Sequence, residues 1–303
     1  PDSKAQVANA IREACIYVGF FLRENHGINE AVIRSVLDTT RQFFFILQTS
    51  QLIIWSLSAI LMCVYPSLTS VKPPISRVVI PFLRKYIHEY FEIGPEIDVS
   101  PDIAMSGLNI WPPEDVIPGF QEATLRYGYP RSYRAWLETF TVFALALNLP
   151  EGFFANKVKT TAASMRIIHY PPQAAVVEKQ GTGIGAHTEH IWTSILSMLQ
   201  TNPTSLTVLN TSSQWIDAKP IPGTLIINIG DQLSIWTNDI FKSTVHRVIN
   251  GSGTYSIPLF FCADYDVKLE ALPSCVSESR PALYEPILAG DHVNQGWRNC
   301  MRT

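Results

Sequence analysis

The chain of 303 residues contains little charge and no excess of positive charge. Charged residues make up 16% of the sequence, and the net charge is −3. Proteins that bind nucleic acid usually present a basic patch or stripe, so we predict no nucleic-acid partner. Hydrophobic residues make up 47%, which excludes a disordered chain and is sufficient for a large buried core.

Paired cysteines and long apolar runs are also missing. The five cysteines stand far apart, none forms a C-x-x-C motif, and no signal peptide opens the sequence. This pattern favours a reduced, cytoplasmic location. The nearly continuous apolar stretch 52–65 has 14 residues, whereas a membrane span needs about 20. We therefore expect no membrane partner, and a monomer is the default expectation.

Acidic residues are absent from the segment 48–85. An apolar stretch without helical periodicity opens this segment, and prolines among β-branched residues follow it. Such a composition is unusual for a loop that faces solvent. We interpret 48–85 as an atypical insert. A fully buried helix, a recent insertion and unspliced coding sequence remain open as explanations.

The remaining sequence divides into a helical part and a strand-rich part. Apolar residues at helical spacing predict helices over 4–18, 29–45 and 121–147. The predicted strands are 20–22, 164–170, 184–187, 192–199, 206–210, 224–229, 244–249 and 255–262. We predict a mainly β protein with flanking helices (α+β), in which 1–160 form an N-terminal helical region and 161–303 a jelly-roll core.

One short motif indicates metal chemistry. His187 and Glu189 flank Thr188, and on a β-strand two residues separated by one point to the same face. A distant histidine, His246, can complete the set from another strand. Two imidazoles and one carboxylate form the facial triad of non-haem Fe(II) oxygenases, which leaves coordination positions open for substrate chemistry.

Several longer stretches resemble one known family. Their order and spacing are similar to the isopenicillin N synthase-like group of Fe(II)/2-oxoglutarate dioxygenases, especially its fungal-type members. The matching stretches are VGFF (18–21), NHG (25–27), FEIG (91–94), MRIIHYPP (165–172), GIGAHTE (183–189), WID (215–217), PGTLIINIGD (222–231), WTN (236–238), STVHR (243–247) and YSIP (255–258).

The resemblance implies a double-stranded β-helix, a cupin-like jelly roll, with iron held by His187, Glu189 and His246. It also implies Fe(II), 2-oxoglutarate and O₂ as the reacting groups. Tyr170, which precedes a proline, and Ser256 are expected to face the cavity and to bind the co-substrate.

Two positions depart from the family pattern. Glu189 stands where the family has aspartate, and its side chain is longer by one methylene. Thr254 stands where the family has the arginine that pairs with the far carboxylate of 2-oxoglutarate, and the preceding turn is two residues short. Period-two spacing places Arg166 on the face of Tyr170, so Arg166 is a candidate to bind substrate or co-substrate, the alternative being an arginine on an exposed surface.

The resemblance therefore implies an oxygenase that hydroxylates, desaturates or cyclises a small organic molecule, in secondary metabolism. Two alternatives stay open at this point. One is an iron oxidase resembling isopenicillin N synthase, which uses O₂ without 2-oxoglutarate. The other is a catalytically impaired family member, which the residues at 189 and 254 and the segment 48–85 would explain.

Overall fold

A computed structural model describes most of the chain. The described residues are 3–48, 77–79, 88–94, 109–128, 133–159, 163–172, 182–191, 193–199, 206–249 and 253–300.

Helices precede most of the strands and return at the end of the described chain. The helices are α1 (Lys4–Tyr17), α2 (Glu30–Gln48), α3 (Phe120–Tyr127), α4 (Tyr133–Ala146), α5 (Asp231–Trp236) and α6 (Ala289–Cys300). The strands are β1 (Phe20–Arg23), β2 (Arg77–Val79), β3 (Glu89–Ile93), β4 (Ser164–Tyr170), β5 (Thr182–His187), β6 (Thr193–Leu199), β7 (Leu206–Leu209), β8 (Trp215–Asp217), β9 (Leu225–Ile229), β10 (His246–Ile249), β11 (Thr254–Phe261), β12 (Lys268–Leu269) and β13 (Ile287–Leu288).

Two antiparallel sheets carry the fold. Within the described residues, one sheet has the order β1-β9-β6-β11-β4-β3-β2 and the other the order β5-β10-β7-β8. A compact apolar cluster contains side chains from both, including Tyr170 and Ile226 of the first sheet and Leu206 and Val248 of the second. The two sheets therefore pack face to face, which is the predicted jelly roll.

The opposite face of the larger sheet packs against helices. Phe43 of α2 stacks on Phe120 of α3 with ring centroids 5.0 Å apart, and it contacts Phe91 of β3 at 5.5 Å. Phe91 and Phe43 are fully buried. Strand residues that alternate with Phe91, such as Tyr90, face the other way, into the space between the sheets. The larger sheet thus separates a helical core from the interior that holds the candidate site.

Several sequence predictions differ from the observed elements. The single helix predicted over 121–147 is two helices, α3 and α4, and the sequence between them contains Gly128 and Pro130. Proline lacks the backbone N–H that a continuing helix requires. On α1 the buried side chains are Ala8 and Cys15, whereas Val7, which the helical spacing predicts to be buried, is exposed.

The N-terminal part of the chain contributes strands as well as helices. Strands β1, β2 and β3 all belong to the larger sheet, beside strands from the C-terminal part. The division at residue 160 stays a prediction. Of the predicted insert 48–85, the structure describes the end of α2 and strand β2, and the rest lies outside the described residues. Within the part of the chain that is described, no helix combines the length and apolarity needed to cross a bilayer.

Candidate metal centre

Two histidines meet at the edge of the smaller sheet. Strands β5 and β10 pair antiparallel, and their register places His246 directly opposite His187. The imidazole centroids are 4.3 Å apart. His246 is buried and lies edge-on to Phe20 of β1 at 5.3 Å, whereas His187 is partly exposed. The ladder between two strands therefore brings together residues that are far apart in sequence.

Backbone carbonyls fix the orientation of both rings. Nδ1 of His187 donates to the carbonyl of Gly185 at 2.7 Å, and Nδ1 of His246 donates to the carbonyl of Thr244 at 3.0 Å. A carbonyl oxygen only accepts, so the proton of a neutral imidazole lies on Nδ1. The lone pair of each Nε2 is then available to a metal ion.

Glu189 supplies the third donor, but not from a strand. Strand β5 ends at His187, so the predicted placement of Glu189 on the same strand is wrong. The chain bends after His187, and Oε1 of Glu189 lies 3.5 Å from Nε2 of His187 and 3.6 Å from Nε2 of His246. One ligand atom from each of the three residues lies within 4.8 Å of the others. Two nitrogens and one carboxylate oxygen converge, a donor set suited to non-haem Fe(II).

The electrostatics of the three side chains favour the ionised carboxylate. Burial alone would raise the pKa of Glu189, but hydrogen bonds from His187 and His246 outweigh it and lower that pKa. Burial alone would lower the pKa of His187, but the hydrogen bond to Glu189, the negative charge of Glu189 and the hydrogen bond to the Gly185 carbonyl together raise that pKa. The carboxylate is therefore ready to bind a cation, which competes with a proton on His187.

Three predicted or family-implied positions lie on one inner surface of the larger sheet. On β4 and β11, Thr254 is opposite Tyr170, and Ser256 is opposite Ile168. All four side chains are buried. The phenol of Tyr170 has a raised pKa, because it is buried and close to the negative charge of Glu189. The hydroxyl groups of Tyr170, Thr254 and Ser256 thus share a wall of the interior, near the converging ligands.

Arg166 is partly buried, with 25% of its side chain exposed. Its guanidinium forms a salt bridge with buried Glu92 of β3 at 3.1 Å. The same group lies over the rings of Tyr90, at 4.9 Å, and Phe260, at 5.2 Å. Burial would lower the pKa of Arg166, but Glu92, Tyr90 and Glu189 together outweigh burial and raise that pKa. Arg166 therefore carries a fixed positive charge on the wall that faces the metal ligands.

Sequence reasoning missed a histidine on this wall. His88 precedes β3 and lies beside Tyr170, with ring centroids 6.0 Å apart. Its Nδ1 donates to the carbonyl of Gly183 at 2.8 Å. Burial lowers the pKa of His88, so the neutral form is favoured at neutral pH. Period-two spacing of His88 with Tyr90 was readable in the sequence, but their pairing with β4 was not.

Two other histidines alternate away from the metal ligands, as the spacing predicts. His169 lies on the helical side of the larger sheet, where its Nδ1 bonds Glu89 at 2.7 Å and its ring stacks on Tyr255. His169 is buried. Nδ1 of His190 lies 3.0 Å from the carboxylate of Asp231.

Comparison with known proteins identifies the family. A model of the 2OG-Fe(II) oxygenase superfamily matches residues 161–263, and a model of the non-haem dioxygenase in morphine synthesis N-terminal region matches residues 1–114. The second match includes the segment 48–85.

Relatives and solved structures span almost the whole chain. A 2-oxoglutarate-Fe(II) type oxidoreductase of Emericella nidulans, hxnY, is 33% identical over 98% of this chain and 85% of its own. Kihadalactone A synthase of Citrus sinensis is 29% identical over 97% of this chain and 88% of its own. The crystal structure of a full-length Neurospora crassa protein in complex with alpha-KG and 5-formyluracil has a TM-score of 0.81, at 26% identity over 97% of this chain and 90% of that one.

These matches confirm the predicted family, the fold class and the three reacting groups, Fe(II), 2-oxoglutarate and O₂. The donor atoms of His187, Glu189 and His246 fit the metal that the family uses. The chain belongs to the 2OG-Fe(II) oxygenase superfamily and is an Fe(II)- and 2-oxoglutarate-dependent dioxygenase.

Proposed function

We propose that His187, Glu189 and His246 hold the iron of an enzyme that oxidises a small organic molecule in secondary metabolism. One observation carries the assignment of the ligands: their donor atoms converge within 4.8 Å at the edge of the space between the two sheets. The substrate class is supported by the relative named kihadalactone A synthase. Iron bound at this site would activate dioxygen, with 2-oxoglutarate as the second reductant.

The two Nδ1 hydrogen bonds give the histidines their role. By donating to the carbonyls of Gly185 and Thr244, the rings stay in the tautomer that presents Nε2. The edge-on contact of Phe20 restricts rotation of His246. The protein thus holds both nitrogens in place before any metal binds, which reduces the free energy that ligand ordering would require.

The far carboxylate of 2-oxoglutarate is proposed to bind the hydroxyls of Tyr170 and Ser256, beside Thr254. Hydroxyl donors can replace the missing arginine, but less strongly, since they lack its charge and its bidentate geometry. Arg166 is four residues from Tyr170 on β4, which is about 13 Å along a strand. Arg166 is therefore too distant to take the place of an arginine at 254. We assign it to substrate binding in the space between the two sheets.

Exclusion of water is the remaining task of the interior. Buried apolar side chains surround the polar wall: Ile168, Leu206, Val208, Ile226 and Val248. Water is a competitor both for open metal positions and for reactive intermediates. Apolar surface beside the three ligands therefore suits oxidation of a bound organic molecule.

Anaerobic titration of the purified protein with Fe(II) and then 2-oxoglutarate tests the proposal. A weak visible absorption band of the chelate should appear and saturate for the native chain, and Glu189→Ala should abolish it. Ser256→Ala should leave Fe(II) affinity unchanged and weaken 2-oxoglutarate binding about 5- to 10-fold, the equivalent of one hydrogen bond of about 1–1.5 kcal/mol. Native-like Fe(II) binding by Glu189→Ala would refute the ligand assignment. Unchanged 2-oxoglutarate affinity in Ser256→Ala would refute the proposed carboxylate site.

A further inference from the structure

The segment 188–191, which carries Glu189, lies outside the sheet ladders. Strand β5 ends one residue before it, at His187. A carboxylate on a longer side chain, placed after the end of a strand, needs another element to fix its backbone. Pairing of β5 with β10 fixes the backbone of the two histidines, whereas Glu189 lies outside this pairing.

The start of helix α5 supplies that support. The backbone N–H of Asp231 donates to the carbonyl of Glu189 at 2.7 Å, and the N–H of Gln232 donates to the carbonyl of Ile191 at 3.1 Å. The carboxylate of Asp231 accepts from Oγ1 of Thr188 at 3.3 Å and from Nδ1 of His190 at 3.0 Å. Asp231 therefore holds the residues on both sides of Glu189 by their side chains and Glu189 itself by its carbonyl.

Helix α6 covers the same segment from the opposite end of the chain. Nδ1 of His292 donates to the carbonyl of His190 at 3.2 Å. A Cβ atom at Gly296 would lie only 2.6 Å from the ring of His190, so this ring fits closely against the helix. Helix α6 therefore restrains His190 on one side, although 40% of its side chain stays exposed, and Asp231 holds its Nδ1 on the other.

We infer that Asp231 is a positioning residue of the metal centre, which sets where the backbone of Glu189 lies and thereby the reach of its carboxylate to the two Nε2 atoms. This inference rests on the proposed ligand role of Glu189. Asp231 does not contact the metal position; it acts through the segment 188–190. A purely structural role of Asp231 would instead change the stability of the fold without a specific effect on metal binding through Glu189.

A double-mutant cycle with Co(II) as the only added ion separates these roles. Co(II) affinity is measured from its visible absorption on metal-free protein, for the native chain, Asp231→Ala, Asp231→Asn, Glu189→Ala and Glu189→Ala/Asp231→Ala. Thermal unfolding of each metal-free protein is recorded alongside. Asp239→Asn is the matched control. Asp239 and Asp231 line one cavity of about 410 Å³, but the carboxylate of Asp239 accepts hydrogen bonds from Ser234 and Tyr284 and not from the segment 188–191.

We expect Asp231→Ala to lower Co(II) affinity about 10- to 100-fold, in the range found for residues that orient metal ligands. Asp231→Asn should lose less, because its amide oxygen can replace the single carboxylate oxygen, Oδ2, that accepts from both Thr188 and His190, although without the negative charge. Asp239→Asn should stay within about twofold of the native chain. In the Glu189→Ala background, Asp231→Ala should change affinity by less than about twofold, because the group it positions is gone.

Two kinds of failure are distinguishable. Co(II) binding by Glu189→Ala that matches the native chain would overturn the proposed ligand set. If Glu189→Ala weakens binding but both Asp231 variants bind like Asp239→Asn, the positioning role is refuted and the ligand set stands. An equal loss from Asp231→Ala in both backgrounds would also refute it, since Asp231 would then act independently of Glu189. Asp231→Asn preserves the size of the side chain, so it provides the test if the alanine variant does not fold.

Discussion

Replacement of Gly230 by alanine tests how tightly the ligand segment is packed. Gly230 precedes helix α5 with φ −102° and ψ 176°, a conformation open to any residue. Glycine is therefore required here by close packing and not by the backbone conformation. A Cβ atom would lie 2.1 Å from the carbonyl oxygen of Ile191 and 3.0 Å from that of Glu189.

The magnitude follows from this overlap. Real Cβ atoms come no closer than 3.0 Å, so the 2.1 Å contact requires the backbone at Ile191 to move by about 0.9 Å. Two hydrogen bonds from α5, to the carbonyls of Glu189 and Ile191, resist that movement. Overpacking of this kind destabilises by about 1–3 kcal/mol, which corresponds to a fall in Tm of about 2–10 °C. Since the displaced backbone carries Glu189, metal affinity should also fall, by about 10- to 100-fold.

Gly152→Ala is the matched control, because a Cβ atom at Gly152 meets no atom within 4 Å. Metal-free Gly230→Ala, Gly152→Ala and the native chain are compared by thermal unfolding and by Co(II) titration. The control should differ from the native chain in neither measurement. If Gly230→Ala binds Co(II) within about twofold of Gly152→Ala, the packing around Gly230 does not determine the position of Glu189 and the reasoning fails.

Three further predictions concern the interior. Arg166→Met removes the salt bridge of buried Glu92 and should reduce the unfolding free energy in urea by up to about 3 kcal/mol. Added Glu92→Gln should restore part of that loss, and full stability of the single variant would contradict a contribution from the pair. The pKa of His187 is raised in the folded, metal-free protein, so protonated His187 stabilises the fold fully below its unfolded-state pKa of 6.5. This stabilisation is lost as the pH rises through the folded-state pKa. The Tm advantage of the native chain over His187→Gln should therefore be larger at pH 6 than at pH 9. An equal advantage at both would exclude the His187–Glu189 interaction. Thr254→Arg should tighten 2-oxoglutarate binding in anaerobic titration; weaker binding by a folded variant would show that the wall cannot accommodate the side chain.

The predicted strands match the observed ones closely where alternation is strong. The limits predicted for the strand 164–170 are those of β4, and the limits predicted for 192–199 and 224–229 differ from β6 and β9 by one residue. The alternation of Arg166 with Tyr170 also predicted a shared face; Tyr170 is buried between the sheets, and the guanidinium of Arg166 lies over Tyr90, which faces the same side. These successes have one cause: alternation is a property of consecutive residues, so the sequence displays it directly.

Predictions that depended on the end of an element were less successful. The prediction of one helix over 121–147 overlooked Gly128 and Pro130, and Glu189, which the motif places on the strand of His187, lies beyond the end of β5 at His187. In each case the sequence pattern continues past the end of the helix or strand. Periodicity detects the side-chain pattern but not the hydrogen bonds that continue or end a helix or strand.

By itself, the sequence determined the chemistry that is available: two histidines, one carboxylate, the order of the strands along the chain and the missing arginine at Thr254. Only the tertiary structure decided how these groups meet. The register between β5 and β10 places His246 opposite His187, Glu92 pairs with Arg166 across β3 and β4, and Asp231 holds the segment of Glu189. Such contacts join residues that are far apart in the sequence, and they form only when packing of the two sheets and the helices fixes the register, which no local pattern contains.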